Sequence, residues 1–457
     1  MEAATESVVT LGEAEGFVQS LEPFPMLEIA SPRWMIQHTY IEKLNIEAIL
    51  QAINKGDEFV KEFLVTYEKT CVLVHEVLAI EVWKRKIFPI ICRVKDFETK
   101  ATFPIYMVIR HEATIVNLLE TVLYHKDAVG SLDDQALDLL DYAHRKVTML
   151  VARHQQGQLQ PEKARDKLSP IHASSLEEVK QQSDDLEFNI SLKCVSILRY
   201  LIDYLDSLPL SVHTRMLNTH NVPVLLVQLL DNRPWIRTNK DGLCSRAVEL
   251  YVDNGWRARS SDEVFKLSKL DGQLWIAIYS LVLHKESLRK YDCNAYNKGQ
   301  LLKLRGFLTE VLVDQLPCLM DLQKFLNHLA MVDPAPPKKD LIIEQIPEIR
   351  EKFLRENENK WKAIAKYQMK NAFTPSEAEL RQQAQRWVEM YKSDVMEALL
   401  PEEARCCVCG ATAKKRCSRC RNEWYCRREC QVQHWPKHKS VCSLLVEELS
   451  KKLTLAE

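Results

Sequence analysis

The sequence predicts an all-α protein, an irregular helical body that ends in a small finger folded around metal. Three observations lead there. Glycine is scarce, 11 of 457 residues, or about 2.4% against a usual ~7%. Sheets and phosphate-binding loops both draw on glycine for their turns. Apolar residues recur at helical spacing through much of the first 400 positions. Between Arg405 and Cys442, eight soft or borderline metal ligands fall into four regular pairs.

Residues 1–35 are an acidic N-terminal segment with prolines at 23, 25 and 32 and one short helix near 11–21. Residues 36–153 form a first helical block. Within it, 111–125 places Ile115, Leu118, Leu119, Val122 and Leu123 on one stripe, and 132–153 repeats the pattern with Leu137, Leu140, Val147 and Leu150. Such stripes read as core packing, not as a cofactor box. Residues 154–173 are polar, contain Gly157, Pro161 and Pro170, and read as a linker. Overlapping capping boxes, Ser174-x-x-Glu177 and Ser175-x-x-Glu178, then open a second block, 174–331, with a long helix.

The stretch 192–208 is apolar at helical period. Pro223, in the first turn after His220-Asn221-Val222, precedes a leucine stripe like the final helix of an armadillo-type repeat; 111–123 is a weaker echo. The body is therefore read as armadillo-like. Residues 231–262 interrupt the pattern as a long excursion pinned by Trp235 and Trp256. Helices resume over 266–283, 298–313 and 319–331. A proline-rich linker, 332–339, leads to C-terminal helices over 340–400. These are 340–355, kinked or split by Pro347, then 360–370, then 375–400 carrying Arg386, Trp387 and Tyr391. The last has Thr374 as N-cap, Pro375 in the first position and Glu377 at the third. The finger occupies 404–443 and a tail 444–457.

The four ligand pairs are Cys406-x2-Cys409, Cys417-x2-Cys420, Cys426-x3-Cys430 and His438-x3-Cys442. Eight such donors suffice for two tetrahedral Zn²⁺ sites. The first two pairs have the spacing of a tight thiolate turn. The last two are i, i+4 and project from one face of a helical turn. The 37 residues from Cys406 to Cys442 are too few to fold on apolar burial alone. Structural zinc supplies roughly 10–16 kcal/mol of apparent binding free energy, so metal decides this fold. Cys407 lacks the two-residue gap to Cys409 and reads as a spare thiol. His434 could replace His438, but His438 pairs with Cys442 at the spacing of Cys426 and Cys430, so His434 reads as a surface or packing residue.

Outside the finger, cysteines 71, 92, 194, 244, 293 and 318 show no pairing rhythm, which points to a reducing compartment. The first basic residue is Arg33, and the longest apolar run, near 274–283, is too short to span a bilayer. A cytosolic or nuclear protein is expected. Residues 404–443 carry a formal charge of +8, leaving −9 elsewhere. Seven ligand thiolates and two Zn²⁺ would bring the finger to about +5. No recognition-helix pattern accompanies that charge, so nucleic acid is not the expected partner.

The ligand pairs, with Tyr425, Gln431 and Trp435, resemble the MYND-type zinc finger. The resemblance implies an interleaved cross-brace: Cys406, Cys409, Cys426 and Cys430 on one ion, Cys417, Cys420, His438 and Cys442 on the other. It also implies a groove for short, often proline-rich peptides, lined by Gln431 and Trp435. Trp435 reads equally as the finger's small core. Beyond the finger, the segments 268–279, 298–308, 336–349 and 415–426 resemble a family of MYND proteins that assemble axonemal dynein arms for ciliary motility. That resemblance implies a cytoplasmic scaffold, near centriolar satellites or the centrosome in ciliated cells. Its implied partners are heat-shock chaperones, co-chaperones including a leucine-rich-repeat protein, and dynein chains as clients.

An enzyme is not expected. The sequence has no GxGxxG, GxxxxGK[ST], GxSxG or HExxH motif. MYND-bearing SET-domain methyltransferases need an Asn-His-x-Cys-type motif, whereas Asn327-His328 is followed by Leu329-Ala330. The rival binding class is a nuclear MYND co-repressor adaptor; the basic runs at 84–86 and 414–416 are too short to indicate it.

Overall fold

The computed structural model describes residues 8–94, 102–158, 176–239, 247–252, 255–258, 266–334, 336–337, 345–374, 376 and 379. Between 406 and 443 it describes all but 410, 412, 414, 421–422, 437 and 440–441. In chain order the first helices are α1 (Leu11–Ser20), α2 (Pro32–Asn54), α3 (Phe59–Thr66), α4 (Thr70–Lys86), α5 (Phe88–Arg93) and α6 (Phe103–Val122). Then come α7 (Lys126–Gly130), α8 (Ala136–Gln155), α9 (Leu176–Asp203), α10 (Leu210–Thr214) and α11 (Val222–Asn232). Strands β1 (Ile236–Asn239), β2 (Ala247–Val252) and β3 (Gly255–Ala258) follow. The chain returns to helix with α12 (Lys269–Leu283), α13 (Lys285–Lys290), α14 (Ala295–Leu302), α15 (Glu310–Gln315), α16 (Leu319–Met331), α17 (Ile349–Glu356) and α18 (Trp361–Asn371). Two short strands, β4 (Lys415–Arg416) and β5 (Trp424–Tyr425), belong to the finger.

The predicted apolar stripes are core. Ile115, Leu118, Leu119, Val122 and Leu123, and likewise Leu137, Leu140, Val147 and Leu150, are buried. Local chemistry sets several helix starts. Thr10 and Glu13 form a capping box on α1. Ser31 caps α2 with Pro32 in its first turn. Asn221, in the left-handed region at φ 47°, precedes α11, which carries Pro223 in its first turn.

Contacts divide the chain into two compact units, each assembled from separated stretches. One comprises Met1–Leu118, Pro161–Leu186 and Phe353–Glu457; the other comprises Leu119–Gln160 and Glu187–Lys352. In the first unit, Glu76 is fully buried. Its carboxylate accepts from the Phe24 N–H at 2.9 Å and the Trp34 indole at 3.2 Å, and His111 Nε2 lies 3.6 Å away. His111 Nδ1 sits 2.8 Å from His38 Nδ1. Burial, followed by the neighbouring His111, holds His38 down at about 3.

A depressed histidine pKa means that the unfolded chain binds a proton the folded chain refuses. His38 thus supports folding above about pH 6.5 and loses that contribution as the pH falls toward 3. The loss should approach ~1.4 kcal/mol per pH unit within this window. Denaturant titrations at pH 7 and 5.5 should show a smaller pH effect in His38→Asn than in the parent. Equal pH effects would remove His38 as the cause.

In the second unit, the predicted excursion 231–262 is corrected in part to a three-stranded antiparallel sheet, ordered β1-β2-β3. The register runs Ile236↔Leu250 in the first pair and Tyr251↔Trp256 in the second. Val248, Leu250, Tyr251, Val252 and Trp256 are strand formers. The second pair runs to Val252↔Gly255; residues 253–254, between them in the sequence, lie outside the described residues. The sheet is pinned at both ends, as the tryptophans suggested. Trp235 is buried and donates to Asp271, whose backbone N–H is capped by Ser268 at the start of α12. Trp256 stacks near Phe188 of α9, and the Tyr251 hydroxyl donates to Asn189.

Four further expectations need correction. Residues 298–313 do not form one helix: a 3-10 turn, Lys303–Gly306, separates α14 from α15, and Thr309 caps the latter. The buried Leu304 anchors that turn, and Gly306 disfavours continuing the helix. Among the described residues of 340–355, helix begins only after Pro347, where the Asp138 carboxylate accepts from the Ile349 N–H at 3.0 Å. The helical run of 192–208 ends at Asp203, before a 3-10 turn at Leu205–Ser207. Thr374 is not an N-cap. Its hydroxyl donates back to the Met369 and Lys370 carbonyls at the end of α18, and Ser376 with Glu379 forms the capping box instead. Apart from 376 and 379, the predicted helix 375–400 lies outside the described residues; of the predicted linker 154–173, residues 154–155 are instead the last of α8 and 159–173 lie outside the described residues, as do 174–175 of the predicted caps.

Candidate metal centre

The finger is folded by short-range backbone ties. The Cys406 N–H donates to the Ala411 carbonyl at 2.7 Å, closing the first turn. The Cys417 N–H donates to Glu423 at 2.8 Å and the Cys407 N–H to Trp424 at 3.0 Å. β4 and β5 pair through Lys415↔Tyr425 and Arg416↔Trp424. Residues 428–436 are helical. Cys430 lies in that helix, whereas Cys426 sits in the bend before it, so the third ligand pair does not share a helical face.

These elements bring the eight ligands into two quartets. Cys406, Cys409, Cys426 and Cys430 form one; Cys417, Cys420, His438 and Cys442 form the other, with all donor atoms of each within 4.8 Å. In the first, Cys409–Cys426, Cys426–Cys430 and Cys430–Cys409 sulfur separations are 3.3, 3.7 and 3.8 Å. In the second, Cys417 and Cys442 sulfurs are 3.8 Å apart and Cys420 Sγ is 3.4 Å from His438 Nε2. Tetrahedral Zn²⁺ with Zn–S near 2.3 Å places sulfurs about 3.8 Å apart. A disulfide would need ~2.05 Å, and all eight finger cysteines are free thiols. Donor type, number and spacing therefore fit two zinc ions, held as an interleaved cross-brace.

Electrostatics favours the ligating forms at Cys406, Cys417 and His438. Burial raises the Cys406 thiol, but backbone N–H donors from Cys426, Cys409 and Val408 outweigh it and bring it to about 6. Burial, then the neighbouring His434, lowers His438 to about 4 and keeps its imidazole neutral. Thiolate and neutral imidazole are the forms that bind zinc.

His434 is buried, and its Nδ1 lies 3.0 Å from the Tyr425 hydroxyl. It also stacks on His438, with ring centroids 5.5 Å apart. It belongs to neither quartet; it is a packing residue, not a surface one. Cys407 likewise stands outside both. Gln431 and Trp435, four residues apart on the finger helix, are half-buried. Trp435 packs against the finger's core cluster, meets His438 edge-on at 6.0 Å, and has the Arg419 guanidinium 6.0 Å over its ring. Its partial burial supports packing while leaving part of the indole accessible.

The MYND finger family model matches residues 406–442. Over 448 residues the chain is 32% identical to the zinc finger MYND domain-containing protein 10 homolog of Drosophila melanogaster, covering 93% of this chain and 97% of that protein. The chain belongs to this family. Two other relatives share only short stretches. Dauer abnormal formation protein 25 of Caenorhabditis elegans is 56% identical over 41 residues, 9% of this chain and 10% of that protein. Ubiquitin C-terminal hydrolase 15 of Oryza sativa subsp. japonica is 46% identical over 43 residues, 9% of this chain and 4% of that protein. No solved structure matches the chain. In this member of the family, the finger is joined to a helical body, and among the described residues no helix is long and apolar enough to cross a membrane.

Proposed function

We propose that the protein is a non-enzymatic cytoplasmic scaffold for the assembly of axonemal dynein arms, working with chaperones and co-chaperones through protein contacts. The observation that carries this reading is the similarity over 93% of this chain, not in the finger alone, to a zinc finger MYND domain-containing protein. The eight quartet residues act as structural zinc ligands. A quartet filled entirely by protein leaves no position for an activated water, which suits a binding module. Gln431 and the accessible part of Trp435 form the peptide-facing side of the finger. An aromatic ring beside basic Arg419 offers stacking for proline-rich segments.

The full-length chain purified from ciliated cells should bring down dynein chains, heat-shock chaperones and a leucine-rich-repeat co-chaperone. Recovery of chromatin proteins in their place would overturn the reading in favour of a nuclear adaptor. Trp435→Ala should reduce partner capture at least several-fold while the protein keeps both zinc ions, since Trp435 is no ligand. Zinc loss in that variant, with no loss of capture at restored metal, would assign Trp435 to the finger core alone.

A further inference from the structure

The finger holds a third set of donors that neither quartet uses. Cys407, Glu423 and His434 bring one sulfur, one carboxylate oxygen and one imidazole nitrogen within 4.8 Å of one another. Cys407 Sγ lies 3.4 Å from His434 Nδ1, the same separation as between Cys420 Sγ and His438 Nε2 in the second quartet. Tetrahedral Zn²⁺ with Zn–S near 2.3 Å and Zn–N near 2.0 Å sets that distance at about 3.5 Å. The Tyr425 hydroxyl lies 3.0 Å from the same Nδ1. The backbone fixes the group: the Cys407 N–H is tied to Trp424, between Glu423 and Tyr425, and His434 projects from the helix 428–436.

The geometry points to a third cation site, Cys407–Glu423–His434, suited to Zn²⁺ or a similar borderline divalent ion. The thiolate, imidazole and carboxylate set is the donor mixture such ions prefer. Cys407 and Glu423 are half-buried and His434 is buried. A divalent ion neutralises the thiolate and carboxylate together, which burial otherwise makes costly. The site is weaker than the quartets. It offers three charged or basic donors instead of four, and the ion must take His434 Nδ1 from its hydrogen bond with Tyr425. This inference is independent of the partner proteins proposed above.

The test uses the full-length protein already holding its two tightly bound zinc ions. Equilibrium dialysis against free Zn²⁺, followed by elemental analysis, should give a third equivalent. Adding Co²⁺ to the two-zinc protein should produce a near-ultraviolet thiolate-to-cobalt band. Cys407→Ser and, separately, Glu423→Gln should abolish the extra equivalent with the first two retained, and Cys407→Ser should erase the cobalt band. Binding that stops at two ions in the parent would overturn the proposal. A third ion that persists unchanged in both variants would do the same, by placing it elsewhere.

Discussion

Cys430→Ser should strip the finger of both zinc ions, not one. Cys430 belongs to the first quartet only. But the quartets draw alternate pairs along the chain, so each ion's ligands bracket the other's. When the first ion leaves, Cys426 and Cys430 lose their hold, and with them Tyr425 and the strand pairing to Lys415 and Arg416 beside Cys417. The 37-residue stretch has no other large source of stability: its core cluster consists mainly of the ligand cysteines themselves, with Ala413 and Tyr425. Roughly 10–16 kcal/mol of apparent zinc binding is at stake per structural site, far above anything that cluster can replace. Elemental analysis of the washed full-length variant should fall from two zinc toward none, while most far-UV helicity persists, because α1–α18 lie outside the finger. A variant that retained one full equivalent would show that the sites fold independently.

Gln368→Leu should destabilise the first unit by roughly 2–6 kcal/mol, at ~1–3 kcal/mol for each of two buried groups left unsatisfied. Gln368 is almost fully buried. Its amide nitrogen donates to the Met26 carbonyl at 2.8 Å and its amide oxygen accepts from the Trp83 indole at 2.9 Å. Leucine keeps the volume but leaves an indole N–H and a carbonyl facing apolar surroundings. Chemical denaturation followed by tryptophan fluorescence should show the loss; a change below about 1 kcal/mol would mean that water or a neighbour rescues both groups.

Gln368 also marks where the sequence stops being legible. Its partners are 285 and 342 positions away, and no periodicity links such distant residues. What could be read was local. Apolar stripes gave the helices around Leu118 and Leu140 because burial repeats every turn. Paired ligand spacing exposed both quartets because a metal ion demands a fixed donor count. The three-stranded sheet was missed because its strands are short and sit in a polar stretch, although Leu250-Tyr251-Val252 and Asp253-Asn254-Gly255 carried the strand and turn chemistry. The cap at residue 374 went wrong because Thr374 had a stronger local alternative, the free carbonyls ending α18. The Cys407 group was hidden for a different reason. Its members have no regular spacing, and they meet through the backbone tie from Cys407 to Trp424 and the placement of His434 on the finger helix.

Two of the second ion's donors, His438 and Cys442, come last among the eight. A chain that stops between residues 430 and 442 carries all four ligands of the first ion and lacks Cys442 of the second. With the two ions holding the finger jointly, as the Cys430→Ser prediction has it, such a product should bind neither ion.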